Sequence, residues 1–395
     1  MRLRTAAGAL TLVAGGHLVI ELSTQFLPVL YTVVRASMGL TFTQVGTIAL
    51  VATTCMSLAQ PLFGYLSDRW GADRLSAFSV IWIGLAMGLV GFATNYPMLL
   101  VLIALGSLGS AAFHPPSAVI AAANSGARRG TGISIFSVGG NIGSALSPIL
   151  MAGVFALMGL PGTIVVAPLG LAYGIYLYWR LRAIRLRVDR AKAPAAPLRP
   201  NVRPFFLGLS LIITAMMFRS WYQVALTTYL PIWIESDGGT VAGGAQMLAV
   251  FAFAISLGSF IGGPAGDRFG HWQVVATSTA CLVVFHWLVM HNTGIVQVGA
   301  LILSGVTIGA TYPTSIIMAI ETWPGKVGIA TGLLMGVGWW PGGLGAQYTG
   351  YLADTNSLAF ALETLILPAA VGFLLILAYA ALRSHHMARP APQPE

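Results

Sequence analysis

Apolar runs of roughly twenty residues or more follow one another along nearly the whole chain, and short turns between them hold most of the charges. A run of this length crosses the hydrocarbon core of a bilayer as an α-helix, whereas membrane-spanning strands are about ten residues long and alternate in polarity. Charged residues make up only 8% of the chain, whereas a soluble domain carries about 25%. The sequence therefore predicts an all-α integral membrane protein.

Twelve predicted membrane-spanning segments, here called spans 1 to 12, result when the chain is divided at charges and at Gly, Pro and Asn clusters. The first run begins like a signal peptide, but it is longer than a signal-peptide core and contains Glu21, so we predict that it is retained as span 1. The predicted bounds are 8–33, 42–66, 75–94, 97–123, 130–156, 161–183, 205–232, 243–266, 272–291, 294–319, 327–352 and 358–382.

The positions of the basic residues predict the orientation. An even number of spans places both termini on one side, and the positive-inside rule makes that side the cytoplasm. Much of the formal net charge of +9 comes from the segment 179–204, and only Arg35 and Arg219 depart from the rule. We therefore expect a multi-pass membrane protein with both termini in the cytoplasm, and we assign the positive charge to topology rather than to nucleic-acid binding.

The sequence repeats itself at a nearly constant offset. "GYLSDRWGADR" at 64–74 matches "GPAGDRFGHW" at 263–272 with an offset of 199, and "FHPPS" at 113–117 matches "TYPTS" at 311–315 with an offset of 198. Repeated halves of six spans are therefore predicted. The boundaries are an N-terminal six-helix bundle (1–183), a basic cytoplasmic linker (184–203), a C-terminal six-helix bundle (204–383) and a disordered tail (384–395).

A turn motif after span 2 resembles the loop signature of the major facilitator superfamily. It reads G-x-L-x-D-R-x-G-x-x-R, in which the glycines permit a tight turn and the Asp can pair with a basic group or a helix end. The resemblance implies two pseudo-symmetric bundles, a cavity lined by spans 1, 4, 7 and 10, and a gating role for the motif. The alternative is a solvated turn that only follows the positive-inside rule. The motif residues are Gly64, Leu66, Asp68, Arg69, Gly71 and Arg74, with Asp267 and Arg268 in the second half.

Within that superfamily, the chain resembles the fosmidomycin-resistance type of drug exporter. In the second half, Arg219 stands before an aromatic pair, Trp221 and Tyr222, as in that family, and we take Tyr222 as a candidate residue of the substrate cavity. The resemblance implies efflux and antibiotic resistance, with a phosphonate antibiotic as the family's substrate. The matching stretches of the first half are His17 with Glu21, "LTFTQVGTIAL" (40–50), "QPLFGYLSDR" (60–69), "FHP" (113–115) and "FSVGGNIGSALSPIL" (136–150).

Four polar side chains lie near the middle of predicted spans: Glu21 in span 1, His114 in span 4, Arg219 in span 7 and Tyr312 in span 10. A charged residue at the centre of a membrane helix costs about 2.5–3.5 kcal/mol, so such residues should face each other or a wet cavity. Glu21 and Arg219 lie 198 positions apart, which is the offset of the repeat, and we expect them to face each other. They form either a proton-coupling site or a static ion pair between spans 1 and 7.

Two histidines are candidates for proton transfer beside Glu21. His17, Glu21 and Gln25 recur at every fourth position and therefore share one face of span 1. His17 is either part of a proton relay or hydrogen-bonded to a backbone carbonyl. His114 is followed by two prolines, which we expect to bend span 4 beside a cavity. His114 is thus either a proton relay, since imidazole titrates near neutrality, or a structural residue at a kink. Trp339 and Trp340 are candidates for the cavity wall.

The sequence contains no G-x-x-x-x-G-K-[ST] loop, no H-E-x-x-H motif and no recognisable Cys/His cluster. We therefore predict that the protein is not an enzyme and uses no cofactor or metal, with a proton gradient as the driving force. The leading hypothesis is a monomeric, proton-coupled antiporter that exports small anionic or amphiphilic compounds, with its substrate, protons and lipids as partners. The alternatives are a proton-coupled importer of an organic anion and a non-transporting receptor or assembly protein on the same fold.

Overall fold

The structure is a computed structural model that describes residues 2–125, 129–183, 203–323 and 327–387. Most of the predicted linker (184–202) and the last part of the predicted tail (388–395) lie outside the described residues. Every regular element within the described residues is helical, which confirms the predicted all-α class.

The first half of the chain forms spans 1 to 6 from seven α-helices. Span 1 is made by α1 and α2 together, and two short 3₁₀ helices lie at Val90–Phe92 and Leu160–Val165. The α-helices are α1 (Arg2–Leu22), α2 (Leu27–Met38), α3 (Phe42–Trp70), α4 (Ala72–Leu89), α5 (Tyr96–Ala123), α6 (Arg129–Met158) and α7 (Val166–Ala183).

The second half forms spans 7 to 12 from eight α-helices, because spans 11 and 12 are each made of two. The helix α15 continues to Met387, so the first residues of the predicted disordered tail are helical. These helices are α8 (Arg203–Ser236), α9 (Val241–Phe269), α10 (His271–His291), α11 (Gly294–Thr322), α12 (Val327–Gly336), α13 (Pro341–Thr355), α14 (Leu358–Glu363) and α15 (Ile366–Met387).

Interruptions in spans 1 and 11 were not predicted. Eleven of the described helical segments are long and apolar enough to cross a membrane, and span 11 is not among them because it is divided into helices of 10 and 15 residues. Pro341 starts α13, where its missing N–H costs nothing. Span 1 is interrupted between Leu22 and Leu27. By contrast, α5 is one helix through Pro115 and Pro116, so span 4 is not broken at the prolines.

The turn after α3 confirms the internal repeat at the level of the backbone. Gly71 has φ +94° and ψ +132°, and Gly270, at the equivalent place after α9, has φ +96° and ψ +136°. A side chain is strained at such positive φ values, so glycine is required at both turns. We call the end of the bundle that carries these two turns the motif end.

At the opposite end, here called the closed end, hydrogen bonds join α3 to the second half. The Asp354 carboxylate accepts the backbone N–H groups of Phe42 and Thr43, both at 2.8 Å. The Tyr229 hydroxyl donates to the Phe42 carbonyl at 2.8 Å. A Cβ atom on Gly46 would lie 2.5 Å from the backbone of Gln347, so the two halves approach as closely as a glycine allows.

Candidate functional site

A cavity of about 430 Å³ lies between the two halves and borders the interruptions of spans 1 and 11. Spans 1, 4, 7 and 10 contribute to its wall, as the sequence resemblance implied, and α3 and span 11 contribute as well. Most of the lining is apolar. Its polar positions include Glu21, Gln25, His114, Gln223, Thr228 and Tyr312.

Glu21 is at the centre of a cluster on the wall formed by the first half. It stands one residue before the end of α1 and is 8% exposed. Its Oε2 accepts a hydrogen bond from the Gln25 amide at 2.6 Å and one from the Ser144 hydroxyl at 3.3 Å. Its Oε1 faces the two imidazoles of His17 and His114. Residues from α1, α5 and α6 therefore hold one carboxylate in place.

The hydrogen bonds of the two histidines indicate where their protons lie. His17 Nδ1 is 2.9 Å from the Phe136 carbonyl and His114 Nδ1 is 2.8 Å from the Ser110 carbonyl. A carbonyl oxygen only accepts, so each Nδ1 carries its hydrogen. Both Nε2 atoms face Glu21 Oε1, at 3.5 Å and 3.4 Å. A lone pair facing a carboxylate oxygen is repulsive, whereas a proton between them makes the contact attractive. The cluster is therefore suited to binding protons.

The same cluster has the composition of a metal site. Two imidazoles and a carboxylate are common ligands of zinc-like ions. The ligand atoms of His17, Glu21 and His114 lie within 4.8 Å of one another, and no other described residues form a group of this kind. The sequence showed no such cluster, because His114 comes from a different helix and its position next to span 1 cannot be derived from spacing.

Arg219 forms no ion pair with Glu21, contrary to the expectation from the repeat. Among the described residues, Glu21 pairs with the two histidines, and no carboxylate lies within ion-pair distance of Arg219. Arg219 is 5% exposed and donates from Nε to the Thr311 hydroxyl at 2.8 Å. Its Nε and Nη2 also donate to the Ile308 carbonyl, at 3.3 Å and 3.1 Å. The predicted pair between spans 1 and 7 is therefore wrong for this conformation.

Comparison with known proteins assigns the family. A family model of the Major Facilitator Superfamily matches residues 13–346, which is most of the chain. The chain belongs to the Major Facilitator Superfamily. The predicted fold class agrees with this assignment, and so does the prediction that the protein is not an enzyme, since members of the superfamily are transporters.

Individual relatives and solved structures support the same assignment. The chain is 28% identical to the fosmidomycin resistance protein of Escherichia coli (strain K12) over 364 residues, covering 90% of this chain and 88% of that protein. It is also 28% identical to an uncharacterized superfamily transporter, YfnC, of Bacillus subtilis (strain 168), covering 92% and 90%. A bacterial homologue of the human lysosomal transporter Spinster, solved in an inward-facing and unoccupied conformation, has the same fold with a TM-score of 0.82 at 14% identity, covering 98% and 99%.

The superfamily loop motif is exposed at the motif end. Asp68 and Arg69 are exposed at the end of α3, and the Arg69 guanidinium lies 4.7 Å from the Tyr65 ring centroid. In the second half, Asp267 Oδ1 lies 3.4 Å from Nε2 of His271, whose Nδ1 is 3.1 Å from a carboxylate oxygen of Glu321. The remaining motif residues are Gly64, Leu66, Gly71, Arg74 and Arg268, of which Arg74 and Arg268 are exposed.

Tyr222 does not line the cavity, contrary to expectation. It is fully buried in the second half, where its hydroxyl is 3.0 Å from Nδ1 of His286.

Several residues at the site were not predicted. Ser144 completes the Glu21 cluster, Thr311 binds Arg219, and Asp354 joins the halves at the closed end. A serine or a threonine in an apolar run gives no sequence signal of such a role, because most of them bond their own helix backbone.

Proposed function

We propose that this superfamily member is a proton-coupled antiporter that exports small anionic or amphiphilic compounds across a bacterial inner membrane, with both termini in the cytoplasm. In this orientation the closed end faces outwards and the motif end faces the cytoplasm. The placement of basic residues supports the orientation, since the turns at the motif end carry Arg69, Arg74 and Arg268.

One observation carries the proposal: two buried groups of opposite character flank one cavity, each supplied by a different half. The first half supplies the Glu21 cluster, which contacts the cavity and is suited to binding protons. The second half supplies the Arg219 cation behind Tyr312, a cavity-lining residue. Polar groups at membrane depth are costly and are usually kept for transport. A proton site and a cationic site next to one cavity are what exchange of protons for an anion requires.

The exchange follows from alternating access. When the cavity is open to the outside, Glu21 with His17 and His114 takes up protons. After the closed end forms, as seen here, the protons leave to the cytoplasm and a substrate anion binds near the Arg219 cation. Gln25 then holds the charged Glu21 carboxylate. Movement of protons inwards drives the substrate outwards, with each charge moved contributing about 2.3 kcal/mol per 100 mV.

Three groups of residues have supporting roles in this proposal. Tyr312 is part of the substrate wall. The loop motif around Asp68 and its repeat around Asp267 stabilise one state of the cytoplasmic gate. Tyr222 supports the second half from its buried position. The protein acts as a monomer, because a single chain forms the whole cavity.

Transport in membrane vesicles of known orientation tests the proposal. The test compounds are fosmidomycin, suggested by the name of the Escherichia coli relative, and benzoate as a simple amphiphilic anion. We expect respiring inverted vesicles to accumulate at least one of them only while the interior is acidic. Glu21→Gln should abolish accumulation, and Glu235→Gln, at an exposed position of the closed end, should not.

The alternative functions give different results in the same experiment. Accumulation only in right-side-out vesicles would indicate the importer. An absence of transport in both orientations, together with tolerance of Glu21→Gln in the cell, would indicate the receptor or assembly protein. Either result would contradict the proposed exporter.

A further inference from the structure

The buried Arg219 guanidinium has an N–H donor without an acceptor. Its Nε and Nη2 atoms donate to the Thr311 hydroxyl and the Ile308 carbonyl. Its Nη1 atom is buried and has no hydrogen-bond partner. A guanidinium has five N–H donors, and a buried donor left without an acceptor is destabilising. Only neutral oxygens face the cation among the described residues, so the site lacks a negative charge.

The interruption of span 11 packs closely against the helix that carries Arg219. The helix α13 starts at Pro341, and Gly342 lets its first turn approach α8, since a Cβ atom there would lie 2.9 Å from the carbonyl of Ser220, the residue after Arg219. The first N–H groups of α13 already donate to backbone carbonyls of the interruption. The Nη1 atom of Arg219 is therefore the donor that a ligand can use at this place.

Two aromatic rings separate Arg219 from the cavity. The guanidinium carbon lies 5.7 Å from the Tyr312 ring centroid and 5.3 Å from the Trp339 ring centroid. The two rings meet edge to face, with centroids 5.9 Å apart, and both line the cavity. Their π faces compensate part of the positive charge. Trp339 lies in the interruption between α12 and α13.

We propose that this place is an anion-binding site for a small aromatic acid, and that Trp339 acts as its lid. One anionic oxygen of the ligand, from a carboxylate or a phosphonate, accepts the free Nη1–H of Arg219. The apolar body of the ligand takes the place of the displaced indole ring against Tyr312. The inference rests on the proposed function for its role in transport, but the binding itself needs no gradient and no transport.

Binding to the purified protein in detergent, measured by isothermal titration calorimetry, tests the site. The probes are benzoate, phenylphosphonate, acetate and the neutral benzyl alcohol. We expect at least one of the two aromatic anions to bind, and acetate and benzyl alcohol to bind at least about tenfold more weakly, since charge and ring both contribute. Equal binding of benzyl alcohol, or no binding of either aromatic anion, would overturn the proposal.

Variants assign the binding to Arg219. Arg219→Gln should weaken binding of the aromatic anion at least about tenfold, and Arg219→Lys, which keeps the charge but not the fork of donors, should weaken it less. Arg35→Gln is the matched control, because Arg35 also has a buried nitrogen without a partner but packs on the Phe42 ring at the closed end. Unchanged affinity in Arg219→Gln, or an equal loss in Arg35→Gln, would contradict the assignment.

Fluorescence gives a second measurement that does not depend on the stability of the Arg219 variants. The anion should change the tryptophan emission of the wild-type protein, and this change should disappear in Trp339→Phe at anion concentrations that calorimetry shows to saturate the variant. If the change remains in Trp339→Phe, the lid is not Trp339 and the inference is wrong. Binding without transport would reject the proposed exporter alone, and transport without binding at Arg219 would reject this site alone.

Discussion

Removal of the Asp354 carboxylate should open the closed end of the cavity. Asp354 belongs to α13, yet it caps the N-terminus of α3 in the other half. It accepts the N–H groups of Phe42 and Thr43 at 2.8 Å and the Thr43 hydroxyl at 2.6 Å. The next N–H, of Gln44, is bound by the Thr41 hydroxyl. The N–H groups of Phe42 and Thr43 are therefore satisfied only while the two halves are in contact.

The size of the effect follows from these contacts. Loss of a side-chain cap costs about 0.5–2 kcal/mol, and a carboxylate at an exposed helix N-terminus contributes about 0.3–1 kcal/mol. Because Asp354 is exposed and its charge is screened by solvent, we take about 1–2 kcal/mol for the whole interaction. When the closed end opens, the contacts break and water replaces them. Asp354→Ala should therefore move the ratio of the two states about 5–30-fold towards opening at this end.

Distance measurements between spin labels can report this ratio. Labels at Thr94→Cys and Thr293→Cys lie on exposed turns of the closed end in different halves, with Cys55 and Cys281 replaced by serine. We expect the long-distance population to increase in Asp354→Ala. Asp354→Asn should give an intermediate result, because it keeps one acceptor without the charge. The matched control is Asp237→Ala, an exposed acid at the same end. An unchanged distance distribution in Asp354→Ala, or an equal change in Asp237→Ala, would refute the argument.

Three further predictions concern the interior and the motif end. Glu21→Gln and Arg219→Met should destabilise the protein additively, as measured by thermal unfolding, because the two residues share no partner. If the double variant is more stable than either single variant, the two residues do touch. His114→Gln should slow transport in proteoliposomes and flatten its pH dependence near neutrality, because Gln can keep the bond to the Ser110 carbonyl but cannot carry a proton to Glu21. The control is His291→Gln, at an exposed position; if both variants give the same pH profile of transport, His114 has only a structural role. Asp68→Asn should slow transport without weakening substrate binding, since Asp68 lies at the motif end, away from the cavity lining; a collapse of affinity in a folded variant would contradict a gating role.

The structure confirmed the repeat found in the sequence, but not the pair of Glu21 and Arg219 that we inferred from it. The offset of 198 relates Glu21 to Arg219 and also His114 to Tyr312. In the structure, Glu21 contacts His114 within the first half, and Arg219 lies over Tyr312 within the second. Residues related by pseudo-symmetry thus make equivalent contacts inside their own halves. Equal offset does not bring them together across the cavity.

Sequence patterns were sufficient for the spans because each is defined by a local property, the length of an apolar run between polar turns. The interruption of span 11 has Pro341 at the first position of α13, but α5 continues through Pro115 and Pro116, so a proline alone does not predict a break. The interruption was missed because Trp339 and its neighbours are as apolar as a continuous span. Contacts such as Ser144 with Glu21 depend on how α6 packs against α1, and single-residue chemistry carries no signal for that packing.

Proton movement coupled to substrate movement is the most direct test of the whole account. Purified protein in proteoliposomes, with a pH-sensitive dye inside, is given an outward gradient of a compound that the wild-type protein transports. The account predicts that protons enter as the compound leaves, and that Glu21→Gln stops the proton movement while Glu235→Gln does not. Efflux of the compound without proton entry, or proton movement in the same direction as the compound, would contradict it.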